Sequence, residues 1–154
     1  MPKIITMVLV VAITGCFYSL DVTNDPDFYY GYRKGQVYET KKDLYIIYGW
    51  NNFLEVPGED SPTIDRYLKN PTRYNDIKGV LKKKSMVRVE KLSYRETFEA
   101  SYLDIYAQIL EGEYKDEIVK LNIISNIKVK PDPKGGSMPR PDPSVLKIIE
   151  SSEE

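Results

Sequence analysis

The clearest pattern of hydrophobic and polar positions lies in the segment YLDIYAQI, residues 102–109. Apolar residues occupy every second position, and polar or aromatic residues stand between them. A period of two places the two sets on opposite faces of a β-strand. The expected inward set is Leu103, Ile105, Ala107 and Ile109, and the expected outward set is Tyr102, Asp104, Tyr106 and Gln108.

Shorter patterns of the same kind predict further strands. Segment 36–49 indicates two strands joined by a KKD turn, and segment 77–92 indicates two strands joined by a KKKS turn. The EGE sequence at 111–113 predicts a hairpin turn, after which 114–124 returns beside the 102–109 strand. A tight turn there would place Lys120 and Asn122 on the face of the two outward tyrosines.

One short helix is expected near 62–69. Ser61 is the expected cap, Pro62 suits the first helical position, and Pro71 bounds the helix. Five to seven short strands with tight turns and one short helix predict a mainly β protein. The expected architecture is a small antiparallel barrel or a sandwich.

The chain opens with an apolar run at 4–13 that follows a single lysine and precedes Cys16. A charged start, a short apolar segment and small residues form the three parts of an export signal. A membrane-spanning helix is the rival interpretation, but spanning takes about 20 apolar residues. Acidic and amide residues begin at Asp21, too soon for such a helix.

The residues Ile13, Thr14, Gly15 and Cys16 resemble the lipobox of bacterial lipoproteins. The resemblance implies that residues 1–15 are a signal peptide, that cleavage occurs before Cys16, and that its sulfur carries a diacylglycerol. In such proteins the lipidated cysteine is a membrane anchor. In that family an aspartate after the cysteine retains the protein in the inner membrane, and here Phe17 follows. The resemblance therefore implies an outer-membrane location, facing the periplasm, if the host has two membranes.

The composition of the chain limits the catalytic and binding functions that it can have. The 154 residues include 22 basic and 23 acidic side chains and no histidine. Near neutrality argues against bulk binding of nucleic acid. Without histidine, the usual general base and the commonest zinc ligand are missing. We therefore expect no metal and no cofactor.

A second resemblance concerns segment 77–92, IKGVLKKKSMVRVEKL. It is similar to the central hairpin of bacterial Src-homology-3-like barrels, in which a strand ending in Gly-Val-Leu leads through a lysine turn into Val-x-Val. The family commonly has glycine where this chain has Lys84. The resemblance implies a barrel that serves as a binding or structural module.

Tyrosine is abundant, with 13 copies, and it favours strands and half-buried surfaces. Tyr102 and Tyr106 are the leading candidates for a ligand-binding surface, and the alternative is a wall that uses tyrosine where it is half-exposed. On the binding hypothesis, replacing both with alanine would weaken capture of a partner at little cost in stability. Lys82, Lys83 and Lys84 are further candidates, as a site for anionic groups or as a solvated turn that protects a strand edge.

The predicted organisation comprises a signal peptide at 1–15, a lipidated tether at 16–34, a β domain at 35–130 and a proline-rich, largely disordered tail at 131–154. Within the tail, Ser144 is expected to cap a short apolar helix that either docks on the domain or engages a partner.

These features together predict a membrane-anchored, non-catalytic binding or structural module of the cell envelope. Its expected partner is an envelope protein or a cell-wall component. One alternative is an inhibitor of a cell-wall-degrading enzyme. Another is a hydrolase that uses carboxylate pairs, such as Glu96 with Glu99 or Glu111 with Glu113.

Overall fold

The computed structural model describes residues 18–97, 100–126 and 138–149. The signal peptide and Cys16 lie outside this range. The elements of the described chain are β1 Tyr18–Asp21, β2 Val37–Thr40, β3 Leu44–Ile47, β4 Phe53–Glu55, α1 Ile64–Lys69, β5 Ile77–Leu81, β6 Met86–Glu96, β7 Ser101–Ile109, β8 Ile118–Lys120, β9 Ser125–Asn126, β10 Arg140–Pro141 and β11 Leu146–Ile149. Two turns of 3-10 helix stand at Pro26–Phe28 and Pro71–Arg73.

Nine strands form one sheet in the order β11-β2-β6-β7-β8-β4-β3-β5, with β1 also paired to β6. Its pairings are antiparallel apart from β4 with β8. The prediction of a mainly β protein with one short helix is confirmed. The sheet does not close on itself within the described residues, so a sandwich or open sheet fits and a closed barrel is not shown. No helix in those residues is long and apolar enough to cross a membrane.

The central unit is the long hairpin of β6 and β7, paired from Val87 with Ile109 to Glu96 with Ser101. Its alternation is the one expected from the sequence, because all four predicted inward residues of β7 are fully buried. Asp104 departs from the pattern, since it lies on the outward face and is nonetheless buried.

Both strands expected in segment 36–49 are present as β2 and β3. The hairpin that the resemblance implied for 77–92 is not formed, because β6 pairs with β2 and β5 pairs with β3. At KKD (41–43) and at KKKS (82–85) the chain therefore passes between strands that do not pair with each other, and we call these two turns corners. The two corners lie side by side, because the Lys84 amide donates to the Thr40 carbonyl at 2.8 Å and the Thr40 amide donates to the Ser85 carbonyl at 2.9 Å. Lys84 has φ of +73°, where the resembled family commonly has glycine.

Helix α1 begins two residues later than expected, at Ile64 instead of Pro62. Thr63, not Ser61, is the cap, and its hydroxyl accepts from the Arg66 amide. Tyr67 is buried and Leu68 faces out, because six helical residues present only a narrow stripe to the sheet.

Both ends of the described chain belong to the sheet, which corrects the domain boundaries. Strand β1 pairs with the end of β6 inside the segment expected to be a tether. Strand β11 pairs with β2 inside the segment expected to be a disordered tail. The expected helix at the tail is wrong, because a short apolar run fits helix or strand equally and the edge of β2 supplies backbone partners. Val145 and Leu146 are buried, so the tail docks on the domain.

Candidate functional site

Tyr102 and Tyr106 lie on the outward side of β7, as the period predicted. Arg95 of β6 stands opposite Tyr102, and Lys120 of β8 stands opposite Tyr106. With Asp104 between the two rings, these residues form a surface that we call the tyrosine face: Arg95, Tyr102, Asp104, Tyr106 and Lys120. The expectation that Lys120 shares this face is confirmed.

A cation covers each ring of the tyrosine face. The Arg95 guanidinium lies 5.1 Å from the ring centroid of Tyr102, and the Lys120 ammonium lies 5.2 Å from that of Tyr106. Both distances fall within the range of cation–π attraction. Because a cation lies over one face of each ring, less of the ring surface is left for contacts with a ligand.

The same two cations flank the carboxylate of Asp104, whose side chain is 10% exposed. Lys120 Nζ lies 3.2 Å and Arg95 Nε 3.8 Å from Asp104 Oδ2. A carboxylate with so little access to water needs compensating charge. The tyrosine rings hold the cations in position for that purpose, so the surface is organised by its own contacts.

Asn122 extends the tyrosine face beyond β8. Its side-chain oxygen accepts from the Ile105 amide at 3.0 Å, and its amide nitrogen donates to the Leu103 carbonyl at 2.6 Å. Asn122 therefore continues the backbone pairing of β7 after β8 ends, which keeps the edge of the tyrosine face ordered.

The lysine turn is a separate site. Lys82, Lys83 and Lys84 are exposed, and Asp43 lies against them, with its Oδ1 atom accepting from the Lys83 amide at 2.7 Å. Lys84 precedes β6, whereas Tyr102 pairs with Arg95 near the end of β6. About 35 Å of extended chain separates the two positions. The structure therefore does not bring these candidates together.

The carboxylates considered for a hydrolase are placed as follows. Glu111 and Glu113 are both exposed in the connection 110–117 between β7 and β8. Glu96 ends β6, and Glu99 lies outside the described residues. The described part of the chain contains no cluster of acidic, cysteine or histidine side chains suited to a metal ion.

A second aromatic surface was not predicted from the sequence. The β3–β4 hairpin ends in the connection 48–52, YGWNN, which we call the aromatic loop. Trp50 has 103% of its reference surface exposed, and Tyr48 has 57%. Large exposed aromatic side chains are unusual on a protein surface and often mark contact sites.

The base of the aromatic loop is held by its neighbours. The Tyr48 amide donates to the Asp76 carbonyl at 2.8 Å, and the Asn52 carbonyl accepts from the Lys120 amide at 2.8 Å. Gly49 lies against the Phe53 ring, where a methyl group would approach the ring to 3.3 Å. The backbone of the loop is therefore fixed at both ends, while the ring of Trp50 is displayed.

A buried tyrosine, Tyr67, and a half-buried one, Tyr114, interact electrostatically with Tyr48 of the loop. Burial is the main cause that raises the pKa of Tyr67, and the neighbouring Tyr48 phenol adds to the shift. Burial, with the Glu113 carboxylate next, likewise raises the pKa of Tyr114. The ring of Tyr114 covers Gly79, since any side chain at Gly79 would overlap the Tyr114 hydroxyl. These phenols therefore stay protonated at neutral pH.

The sequence contained one signal for this loop, which is that the only tryptophan of the chain stands between glycine and two asparagines at a turn. A single residue in a turn has no periodicity, so the pattern of hydrophobic and polar positions does not indicate its exposure.

No protein-family model matches the chain, and neither a curated protein nor a solved structure matches it.

Proposed function

We propose that this protein is a lipid-anchored, non-catalytic binding module of the bacterial cell envelope that captures a protein partner through the aromatic loop. The observation that carries the proposal is the full exposure of Trp50 on a loop whose base is held. Tryptophan and tyrosine are enriched among the residues that dominate binding energies at protein interfaces. A loop already fixed in shape loses little entropy on binding.

The convex shape of the loop favours a protein partner. Sites for small ligands are concave and enclose the ligand. The aromatic loop is instead the tip of a hairpin, so the pocket that receives Trp50 belongs to the partner. The tyrosine face remains a second candidate contact surface, because Tyr102 and Tyr106 are partly exposed although a cation lies over each ring.

A photo-reactive phenylalanine derivative at position 50 tests the proposal directly. The variant is expressed with its native signal in a bacterial envelope and irradiated, and adducts are identified by mass spectrometry. We expect one dominant protein adduct. Leu68, an exposed apolar residue on α1, is the matched control position and should give none. Equal labelling from both positions, or labelling of purified cell wall instead of a protein, would contradict the proposal.

The lipid anchor is part of the proposal and rests on the lipobox resemblance at Ile13–Cys16. Cys16→Ser should abolish acylation, block normal processing and release the protein from membranes. Mass spectrometry of the wild-type chain should show acyl groups on a chain that begins at Cys16. A Cys16→Ser variant that is processed and fractionates like the wild type would refute the anchor.

Inhibition of a cell-wall-degrading enzyme is a second candidate function, favoured by the same protruding loop. An inhibitor of this kind inserts a held loop into the concave active site of its target. The test is clearance of a cell-wall suspension by a muramidase, with and without the protein. Slower clearance with the wild-type protein, together with normal clearance in the presence of the Trp50→Ala variant, would support inhibition. Unchanged clearance with the wild-type protein would leave the general binding function as the proposal.

A further inference from the structure

The proposed anchor lies very close to the folded sheet. Strand β1 begins at Tyr18, so only Phe17 separates it from Cys16. Consecutive Cα atoms are about 3.8 Å apart, so the Cα atoms of Cys16 and Tyr18 lie within about 8 Å of each other. The headgroup layer of a leaflet is about 5–8 Å thick. Acyl chains on Cys16 would therefore bring the start of β1 to the membrane surface.

Strand β1 is part of the rigid domain and not a flexible lead. Its four residues pair with the last four of β6, and the Ser19 and Ser93 hydroxyls lie 3.1 Å apart. Directly after β1, the buried Val22 donates its amide to the Leu92 carbonyl at 3.0 Å. A domain attached this closely has little freedom to rotate about its anchor.

The side chains at this end suit a bilayer interface. Tyr18 is 51% exposed and Leu20 is 41% exposed, and the period of two places them on the same side of β1. Tyrosine is enriched at the boundary between lipid and water, and leucine contributes buried apolar area there.

We propose that in the lipidated protein the end of the sheet formed by β1 and the paired end of β6 rests on the bilayer, with Tyr18 and Leu20 in the interfacial layer. This inference rests on the proposed lipid anchor. It adds a fixed orientation, because two attachments at one end of the domain leave the opposite end pointing away from the membrane.

The aromatic loop lies toward that opposite end. Phe53 follows the loop and pairs with Lys120 of β8. Lys120 pairs with Tyr106 of β7, and Tyr106 pairs with Lys91 of β6, so these residues lie in one row across the sheet. Lys91 is five residues from Glu96, the partner of Tyr18, which corresponds to about 17 Å along β6. Strand β4 runs in the same direction as β6, so the loop before Phe53 extends still further from β1. The orientation presents Trp50 to partners away from the membrane.

The single tryptophan provides the test, in the full lipidated chain reconstituted in vesicles of phosphatidylethanolamine and phosphatidylglycerol. One sample keeps Trp50, and a second combines Trp50→Phe with Leu20→Trp. A third combines Trp50→Phe with Leu68→Trp as a control at a similarly exposed apolar site. Lipids with brominated acyl chains quench tryptophans that reach the bilayer. We expect the Leu20→Trp sample to lose most of its emission and the other two to keep theirs.

Vesicle flotation separates the two proposals. If the acylated chain does not float with vesicles, the anchor itself is refuted. If it floats but the Leu20→Trp sample is quenched no more than the Leu68→Trp sample, the anchor stands and the docked orientation is wrong. A Tyr18→Trp variant, also with Trp50→Phe, repeats the measurement if Leu20→Trp does not fold. Quenching of Trp50 in the wild-type chain would reverse the proposed orientation.

Discussion

The tyrosine face and the aromatic loop both expose aromatic rings at the surface of the same sheet, but the fold uses these rings differently. In the tyrosine face each ring contacts a cation, and both cations compensate the buried Asp104 carboxylate. In the aromatic loop, Trp50 is fully exposed, and backbone hydrogen bonds at the two ends of the loop hold it in place. The comparison teaches that an exposed ring indicates recognition most strongly when it makes no contact that stabilises the fold.

Tyr32 and Tyr38 extend the comparison to rings that lie entirely in the hydrophobic core. Both are fully buried, and their ring centroids lie 5.5 Å apart. The Tyr32 hydroxyl lies 2.5 Å from Ser125 Oγ, which itself donates to the Leu121 carbonyl. The molecule therefore contains aromatic rings that are exposed, rings that contact cations at the surface and rings that are buried in the core. Substitution of each kind should have a different effect on stability.

The largest effect is expected from alkali acting on the buried pair. Burial raises the pKa of Tyr32 and of Tyr38 above the ordinary value of 10.0. Below pH 10 both states of the protein keep the phenols neutral and stability is complete. Above it only the unfolded chain ionises, so the free energy of unfolding falls as pH rises, by roughly 1.4 kcal/mol per pH unit for each such phenol. Urea unfolding between pH 8 and about 11 measures this slope.

Tyr32→Phe identifies the source of the slope. This variant should unfold more easily at neutral pH, because a hydrogen bond is lost, yet its stability should fall less steeply in alkali. Ser125→Ala is the control, since it loses the same hydrogen bond, together with the one from Ser125 to the Leu121 carbonyl, and keeps the phenol. Parallel pH profiles for the two variants would show that Tyr32 does not cause the alkaline loss.

Asp104→Ala is expected to have the next largest effect. It leaves Lys120 and Arg95 side by side without their shared carboxylate, and the free energy of unfolding should fall by about 2 kcal/mol. Glu90→Ala is the control, because it removes an exposed ion pair with Arg88 at 2.6 Å and should cost less than about 1 kcal/mol. Equal losses in the two variants would mean that the Asp104 cluster is an ordinary surface network.

The double change Tyr102→Ala with Tyr106→Ala should cost about 1–2 kcal/mol, since each ring contributes about 0.5–1 kcal/mol of cation–π attraction. The sequence alone led us to expect little cost, and the contacts with Arg95 and Lys120 change that expectation. Denaturant unfolding of the double variant decides the matter. A loss below about 0.5 kcal/mol would restore the view that these rings are free for a ligand.

Trp50→Ala should have the smallest effect on stability, within about 0.5 kcal/mol, because the ring is fully exposed. The thermal unfolding midpoint, measured beside that of the double tyrosine variant, checks this directly. A large drop for Trp50→Ala would show that the loop is part of the structural framework, and the proposed division between the two surfaces would fail.

The sequence predicted strands better than their partners. The alternation in β7 is a local signal, because burial of one side of a strand requires an apolar residue at every second position. Pairing depends on contacts far along the chain. The corners at 41–43 and 82–85 carry ordinary turn residues, so nothing in the local sequence distinguishes them from hairpin turns.

The candidate surfaces differ in the same way. Tyr102 and Tyr106 were found because the period places them outward, but the register that brings Lys120 to Tyr106 required the fold. Asp104 was expected to be exposed, and only its cross-strand neighbours explain its burial. Trp50 belongs to no repeating pattern, so its exposure became visible only with the hairpin in place.

The central claim is that the aromatic loop recognises the partner and that the tyrosine face supports the fold. The most direct measurement is co-purification, from one envelope preparation, of the protein adduct identified at position 50 with three chains: wild type, Trp50→Ala and the double tyrosine variant, each shown to be folded. We predict that Trp50→Ala loses the partner while the double tyrosine variant retains it. Retention by Trp50→Ala together with loss by the folded double variant would contradict the claim and assign recognition to Tyr102 and Tyr106.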